Sequence, residues 1–169
     1  ANDGRGNFAE RSTGLPLISA SRLAWGDYNG DGYPDLAVSG RTPDLAPATV
    51  LLINVGGETL VDSGIVLPQA ETGLAWGDFD QDGDVDLATS AGKVLRNQNG
   101  TNFADTGFAL VGGDTSKSVS WADMDNDGLL DLEINGKINQ NVGGSFTNDP
   151  LNGPTIGCFW DAPPIWHDF

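Results

Sequence analysis

The chain has 169 residues, 24 glycines and a formal net charge of −16, which suits one domain or one compact array with many turns. A surface this acidic argues against nucleic acids and anionic membrane surfaces as partners. No apolar run is long enough for membrane insertion, and Cys158, the only cysteine, excludes an intrachain disulfide.

Taken in order, the chain begins with a hairpin-like segment over 2–10 and then carries three acidic nonapeptides, at 27–35, 78–86 and 123–131. They share the pattern D-x-[DN]-x-D-G-x-x-D and hold twelve of the 24 acidic residues. Like charges this close repel one another, whereas Ca²⁺ binds six to eight oxygen ligands, often from alternating side chains of one loop. The nonapeptides therefore predict three Ca²⁺ sites.

Each nonapeptide lies between short apolar runs, for example 74–77 before the second copy and 86–89 after it. Such runs are too short for helices and are typical of strands. Two further short runs around an Asn/Gly turn follow each loop, as at 94–104, and indicate a β-hairpin. Four short antiparallel strands in about 45 residues are typical of one β-propeller blade. Because a tryptophan precedes every loop by two residues, we expect these tryptophans to pack between neighbouring blades.

The repeats divide the chain into five parts. We expect a partial blade over 1–19, blade one over 20–71, blade two over 72–116, blade three over 117–149, and an aromatic, proline-rich tail over 150–169. The predicted fold is all-β, with three four-stranded antiparallel blades and an N-terminal partial blade. Since propellers generally close with four to eight blades, we expect this chain to be incomplete as a single closed ring.

The loops with their flanks, A-W-G-D-x-[DN]-x-D-G-x-x-D-L-A, resemble the FG-GAP/VCBS repeats of integrin α-subunit propellers and of many secreted bacterial propellers. The resemblance covers nearly everything up to residue 149, with Ala122 as a mild departure from the glycine of the pattern. It implies Ca²⁺ in the loop between the first two strands of each blade, bound by side chains at loop positions 1, 3, 5 and 9 and by the carbonyl at position 7. These positions are Asp27, Asn29, Asp31, Asp35 and the Tyr33 carbonyl; Asp78, Asp80, Asp82, Asp86 and the Asp84 carbonyl; and Asp123, Asp125, Asp127, Asp131 and the Leu129 carbonyl.

Other interpretations of the acidic residues have less support. An EF-hand needs a bidentate Glu at loop position 12 and flanking helices, but position 12 is Val38, Thr89 or Ile134. A dockerin-like pair of loops would also need helices. His167 is the only histidine, and no Ser-His-Asp or Cys-His set can be assembled, so we expect no enzymatic activity.

The functional hypothesis is an extracellular, calcium-binding structural or adhesion module, because open sites of this kind usually need the millimolar calcium found outside cells. Three blades leave faces and strand edges open. We therefore expect self-association or binding to other protein chains by strand or tail exchange, as a closed oligomer or a filament. Two alternatives stay open: a calcium-dependent lectin that binds glycans, and a fragment or accessory domain of a larger secreted protein.

Overall fold

The computed structural model describes residues 5–7, 17–68, 73–113 and 118–147. Within these ranges the chain forms twelve β-strands and no helix, which confirms the predicted all-β class. No candidate membrane-spanning helix occurs in the same ranges. Most of the hairpin expected at 2–10 and all of the tail at 150–169, with Cys158 and His167, lie outside the described residues.

The strands form three four-stranded antiparallel sheets, each built from strands that follow one another in the chain. Blade one consists of β1 (Ser19–Gly26), β2 (Asp35–Arg41), β3 (Pro47–Val55) and β4 (Thr59–Asp62). Blade two consists of β5 (Leu74–Gly77), β6 (Asp86–Thr89), β7 (Lys93–Asn97) and β8 (Phe103–Asp105). Blade three consists of β9 (Val119–Ala122), β10 (Asp131–Ile134), β11 (Lys137–Asn141) and β12 (Phe146–Thr147).

The turns between the strands use the residues that their backbone conformations require. Asn135 and Gly136 connect β10 to β11 with φ values of 51° and 80°, and two consecutive positive φ values are the condition for the tight turns that Asn-Gly favours. Asn99 and Gly100 lie in the β7–β8 turn with φ values of 54° and 65°. The Asn/Gly turn expected within 94–104 is therefore present.

The three blades lie side by side through their first strands, with β1 against β5 and β5 against β9. An apolar core fills each of the two junctions. The first contains Tyr28, Ala37, Leu51, Leu67, Leu87 and Leu95. The second contains Phe79, Ala88, Val94, Val119, Leu132 and Ile134. Each blade is therefore stabilised mainly by its neighbour, because a single four-stranded sheet cannot bury both of its faces alone.

Two of the three repeated tryptophans pack between blades, as predicted. A Cβ added to Gly26 would lie 2.5 Å from the Trp76 ring, and one added to Gly77 would lie 2.7 Å from the Trp121 ring. The glycine that ends β1 and the glycine that ends β5 thus leave room for the indole of the next blade. Trp25 is instead 57% exposed, since no described blade precedes it. The described residues form an open row of blades and no closed ring.

Candidate metal centres

The three acidic loops share one hydrogen-bonding pattern at their first position. In the second loop, Asp78 accepts hydrogen bonds from the backbone amides of Asp82 (3.1 Å) and Gly83 (3.0 Å). Asp27 and Asp123 accept the equivalent pairs of bonds at 2.9–3.1 Å. The first carboxylate therefore folds the middle of each loop back over the start of the loop.

Positive φ values close the loops at the same two positions. The glycine at position 6 has a φ of 87° in Gly32, 94° in Gly83 and 90° in Gly128. Position 4 is also left-handed, at 69° in Gly30, 59° in Gln81 and 63° in Asn126. These conformations are costly for residues with a Cβ other than Asn and Asp. The glycine in the motif is thus required by the backbone, and the three loops share the same turn.

The last aspartate of each loop is buried and connects three segments of its blade. Asp86 begins β6, accepts a hydrogen bond from the amide of Phe79 (3.2 Å) in the loop, and accepts another from the amide of Asn97 (2.8 Å) at the end of β7. Asp35 and Asp131 accept the equivalent bonds at 2.7–3.0 Å. A carboxylate oxygen has a second lone pair, so these bonds leave each aspartate able to ligate a cation.

The third strand of each blade carries, as its last or next-to-last residue, an asparagine whose role the sequence pattern did not predict. The side-chain amide of Asn97 donates to the Val85 carbonyl (3.1 Å) in its own loop and to the Tyr28 carbonyl (2.8 Å) in the loop of blade one. Asn141 donates in the same way to Leu130 and to Phe79 of blade two. The recurrence of asparagine at this place in every repeat was the available signal.

Carboxylate oxygens converge in two of the loops. Oxygen atoms of Asp78, Asp80 and Asp82 lie within 4.8 Å of one another, and so do oxygen atoms of Asp123, Asp125 and Asp131. In the described residues no such group of three forms in the first loop, where Asn29 holds position 3 and its amide donates to Asp31 (3.0 Å). Asp86 and Asp127 lie outside the two groups of three.

The second loop contains a buried carboxylate oxygen that fits a bound cation. Oδ1 of Asp80 is buried and has no hydrogen-bond partner, a costly state for a carboxylate oxygen. Its other oxygen, Oδ2, lies 2.8 Å from Nε of Arg96, a residue that sequence analysis did not single out. An oxygen-only donor set with an unsatisfied carboxylate oxygen suits a hard divalent cation such as Ca²⁺.

Burial shifts the pKa values of four of the loop carboxyls upward. Burial, with repulsion from Asp80 and Asp82, raises the pKa of Asp86 to about 7, although two backbone amides oppose the shift. Burial also raises the pKa of Asp35, Asp80 and Asp131. A bound divalent cation would reverse these shifts by favouring the charged form.

One of the three repeats matches a known protein family. Residues 19–42, which span β1, the first acidic loop and β2, match the family model of the FG-GAP repeat. No curated protein and no solved structure matched the chain. FG-GAP repeats suggest extracellular, adhesion-type β-propeller modules, which are typically non-enzymatic and often bind calcium. This match agrees with the FG-GAP/VCBS resemblance found in the sequence.

Proposed function

We propose that this chain is a non-enzymatic, extracellular structural module in which Ca²⁺ bound by the acidic loops stabilises a row of propeller blades that associates with further protein chains. The observation that carries the proposal is the convergence of carboxylate oxygens in loops of one shared geometry. The oxygens of Asp78, Asp80 and Asp82 lie within 4.8 Å of one another, and one Asp80 oxygen is buried without a partner.

The residues that would hold the ions are those at loop positions 1, 3, 5, 7 and 9. The second loop, with its four side-chain carboxylates and the Asp84 carbonyl, is the best supported. The first loop has Asn29 in place of a carboxylate, so it carries one negative charge fewer and we expect it to bind Ca²⁺ more weakly than the third.

The role of the ion in this proposal is mechanical. The nonapeptides concentrate half of the acidic residues in three short turns, and a divalent cation offsets their mutual repulsion. An ion that binds only the folded state adds RT ln(1 + [Ca²⁺]/Kd), about 2.7 kcal/mol per site at a hundredfold excess over Kd. Since Asp86 also joins its loop to β7, this stabilisation extends from the loop into the sheet.

Metal binding to the chelated chain tests the proposal. Tb³⁺, a luminescent substitute for Ca²⁺, would be excited through Trp76, which stands two residues before Asp78. We expect saturable Tb³⁺ luminescence, its displacement by Ca²⁺, and a rise in melting temperature with Ca²⁺ that Mg²⁺ at equal concentration does not match. An unchanged melting temperature in EDTA, with no metal found by elemental analysis, would refute the proposal.

A matched pair of variants separates ligation from general charge effects. Asp82→Asn removes one charge from the second loop, whereas Asp44→Asn removes one charge from the exposed β2–β3 connection outside the loops. We expect D82N to lower the number of Ca²⁺ ions bound per chain by one or to weaken one site at least tenfold, about 1.4 kcal/mol. D44N should leave both the number and the affinity of the sites unchanged.

A further inference from the structure

The two junctions between blades are built from the same contacts. Besides the tryptophan–glycine packing, the indole nitrogen of Trp76 donates to the Ala24 carbonyl (3.0 Å), and that of Trp121 donates to the Ala75 carbonyl (3.2 Å). The side chains of Asn97 and Asn141 add a second bond to the preceding blade, at 2.8 and 2.7 Å. A later blade thus supplies an indole and an asparagine, and an earlier blade supplies a glycine and two carbonyls.

Blade one carries the indole and asparagine half of this junction with nothing described against it. Trp25 is 57% exposed and Leu23 is 59% exposed, and no described residue accepts a hydrogen bond from the Trp25 indole. Within the described residues the side-chain amide of Asn54 donates only to the Pro34 carbonyl of its own loop (3.0 Å). Its equivalents, Asn97 and Asn141, also reach a preceding blade.

On the face of blade one that carries Trp25, residues of β2 and β3 are already buried, so only part of this face is open to a partner. Leu36, Val38 and Leu52 are buried, and Ile18 packs against them. The exposed area is therefore the strip around Trp25 and Leu23 on β1. In the two complete junctions this strip faces the first strand of the preceding blade, β1 in one case and β5 in the other.

Blade three supplies a poor match for that strip. Ala122 occupies the place of Gly26 and Gly77, where an added Cβ would stand 2.5–2.7 Å from the packed indole ring, far inside ordinary van der Waals contact. Met124, at the loop position of the buried Tyr28 and Phe79, is 50% exposed. The Cβ of Ala122 thus opposes head-to-tail stacking of blade three of one copy onto blade one of another.

We infer that the strip around Leu23 and Trp25 on β1, together with Asn54 of β3, is a docking surface for a further propeller blade, other than a second copy of this chain. The partner has a first strand that ends in glycine and an acidic loop whose second residue offers its backbone carbonyl. Trp25 packs on that glycine, and Asn54 donates to that carbonyl. The inference rests on the proposed function in one respect, because a calcium-bound loop holds the carbonyl in place.

The test supplies the missing glycine on the chain itself. A donor variant, W25A/A122G, presents glycine on blade three and lacks the indole that would let it bind itself. Mixed with the unaltered chain in millimolar Ca²⁺, it should form a 1:1 complex of about twice the 17.7 kDa chain mass in sedimentation velocity. The matched control W25A, which keeps Ala122, should form no complex with the unaltered chain.

A second variant keeps the test decisive if the donor folds poorly. A122G alone carries both halves of the junction, so it should self-associate with increasing concentration while the unaltered chain stays monomeric. Absence of both the W25A/A122G complex and A122G association overturns the inference. The inference is also overturned if the unaltered chain self-associates and W25A abolishes that association, because the partner would then be a second copy. A docking failure by chains that still bind Ca²⁺ refutes this inference alone and leaves the proposed function standing.

Discussion

Replacement of Gly26 by alanine measures how strongly the tryptophan–glycine junction holds two blades together. The new Cβ would stand 2.5 Å from Cγ, 2.7 Å from Cδ1 and 2.8 Å from Cδ2 of Trp76, whereas carbon atoms in contact normally lie about 3.5–4.0 Å apart. The φ of Gly26 is not in the left-handed region, so alanine is compatible with the backbone. The indole ring must therefore move by about 1 Å.

The cost follows from the contacts that the ring would lose. Overpacking of this kind costs about 1–3 kcal/mol, and loss of the hydrogen bond from Trp76 to Ala24 adds about 0.5–1.5 kcal/mol. The smaller chain entropy of alanine in the unfolded state returns about 0.5–1 kcal/mol. We expect G26A to lower the free energy of unfolding by about 0.5–4 kcal/mol.

Urea unfolding in saturating Ca²⁺, followed by circular dichroism and tryptophan fluorescence, measures this loss. The reciprocal control is A122G in blade three, measured at a protein concentration low enough to keep it monomeric. No described indole then occupies the site, so A122G should lose only about 0.5–1 kcal/mol, from backbone entropy. In a W76A background the added cost of G26A should vanish, because no ring remains to be displaced. A G26A variant as stable as the unaltered chain would refute the packing argument.

Three further predictions concern the loops. Burial raises the pKa of Asp86 to about 7, so the folded chain in EDTA keeps a proton that the unfolded chain loses above about pH 4. The free energy of unfolding should therefore fall as pH rises from about 4 to 7. In denaturation curves, Ca²⁺ or the substitution D86N should flatten this pH dependence. N97A leaves the buried carbonyls to which Asn97 donates without their hydrogen-bond donor, and it should lower the free energy of unfolding by about 1–3 kcal/mol. N54A should cost less in the same urea assay, since Asn54 reaches no described preceding blade. R96A removes the cation beside Asp80 and should tighten Ca²⁺ binding at the second loop in calorimetry, whereas weaker binding would show that Arg96 orders the site.

Local chemistry allowed the strands and the acidic loops to be predicted. The alternation of short apolar runs with Gly and Asn turns depends on residues close in the chain, and so does the D-x-[DN]-x-D-G turn, in which hydrogen bonds span two to five residues, as between Asp78 and Gly83. The pattern therefore indicated blades and loops without any knowledge of their packing. Whether Asp86 and Asp127 ligate together with their neighbours stays a prediction.

What depends on distant parts of the chain became visible only in the folded structure. Asn97 donates to Tyr28, 69 residues earlier, and Asn141 to Phe79, 62 residues earlier, so no local pattern marks these bonds. The pairing of Arg96 with Asp80 arises only when β7 lies beside the second loop within blade two. The close approach of each indole to a glycine of the preceding blade arises only when sheets stack. By itself the sequence determined the parts of each blade, because short-range sterics and ligand spacing suffice for them. Tertiary structure alone decided which faces pair and which stay open, because that depends on close approaches between residues far apart in the chain, such as Trp76 and Gly26.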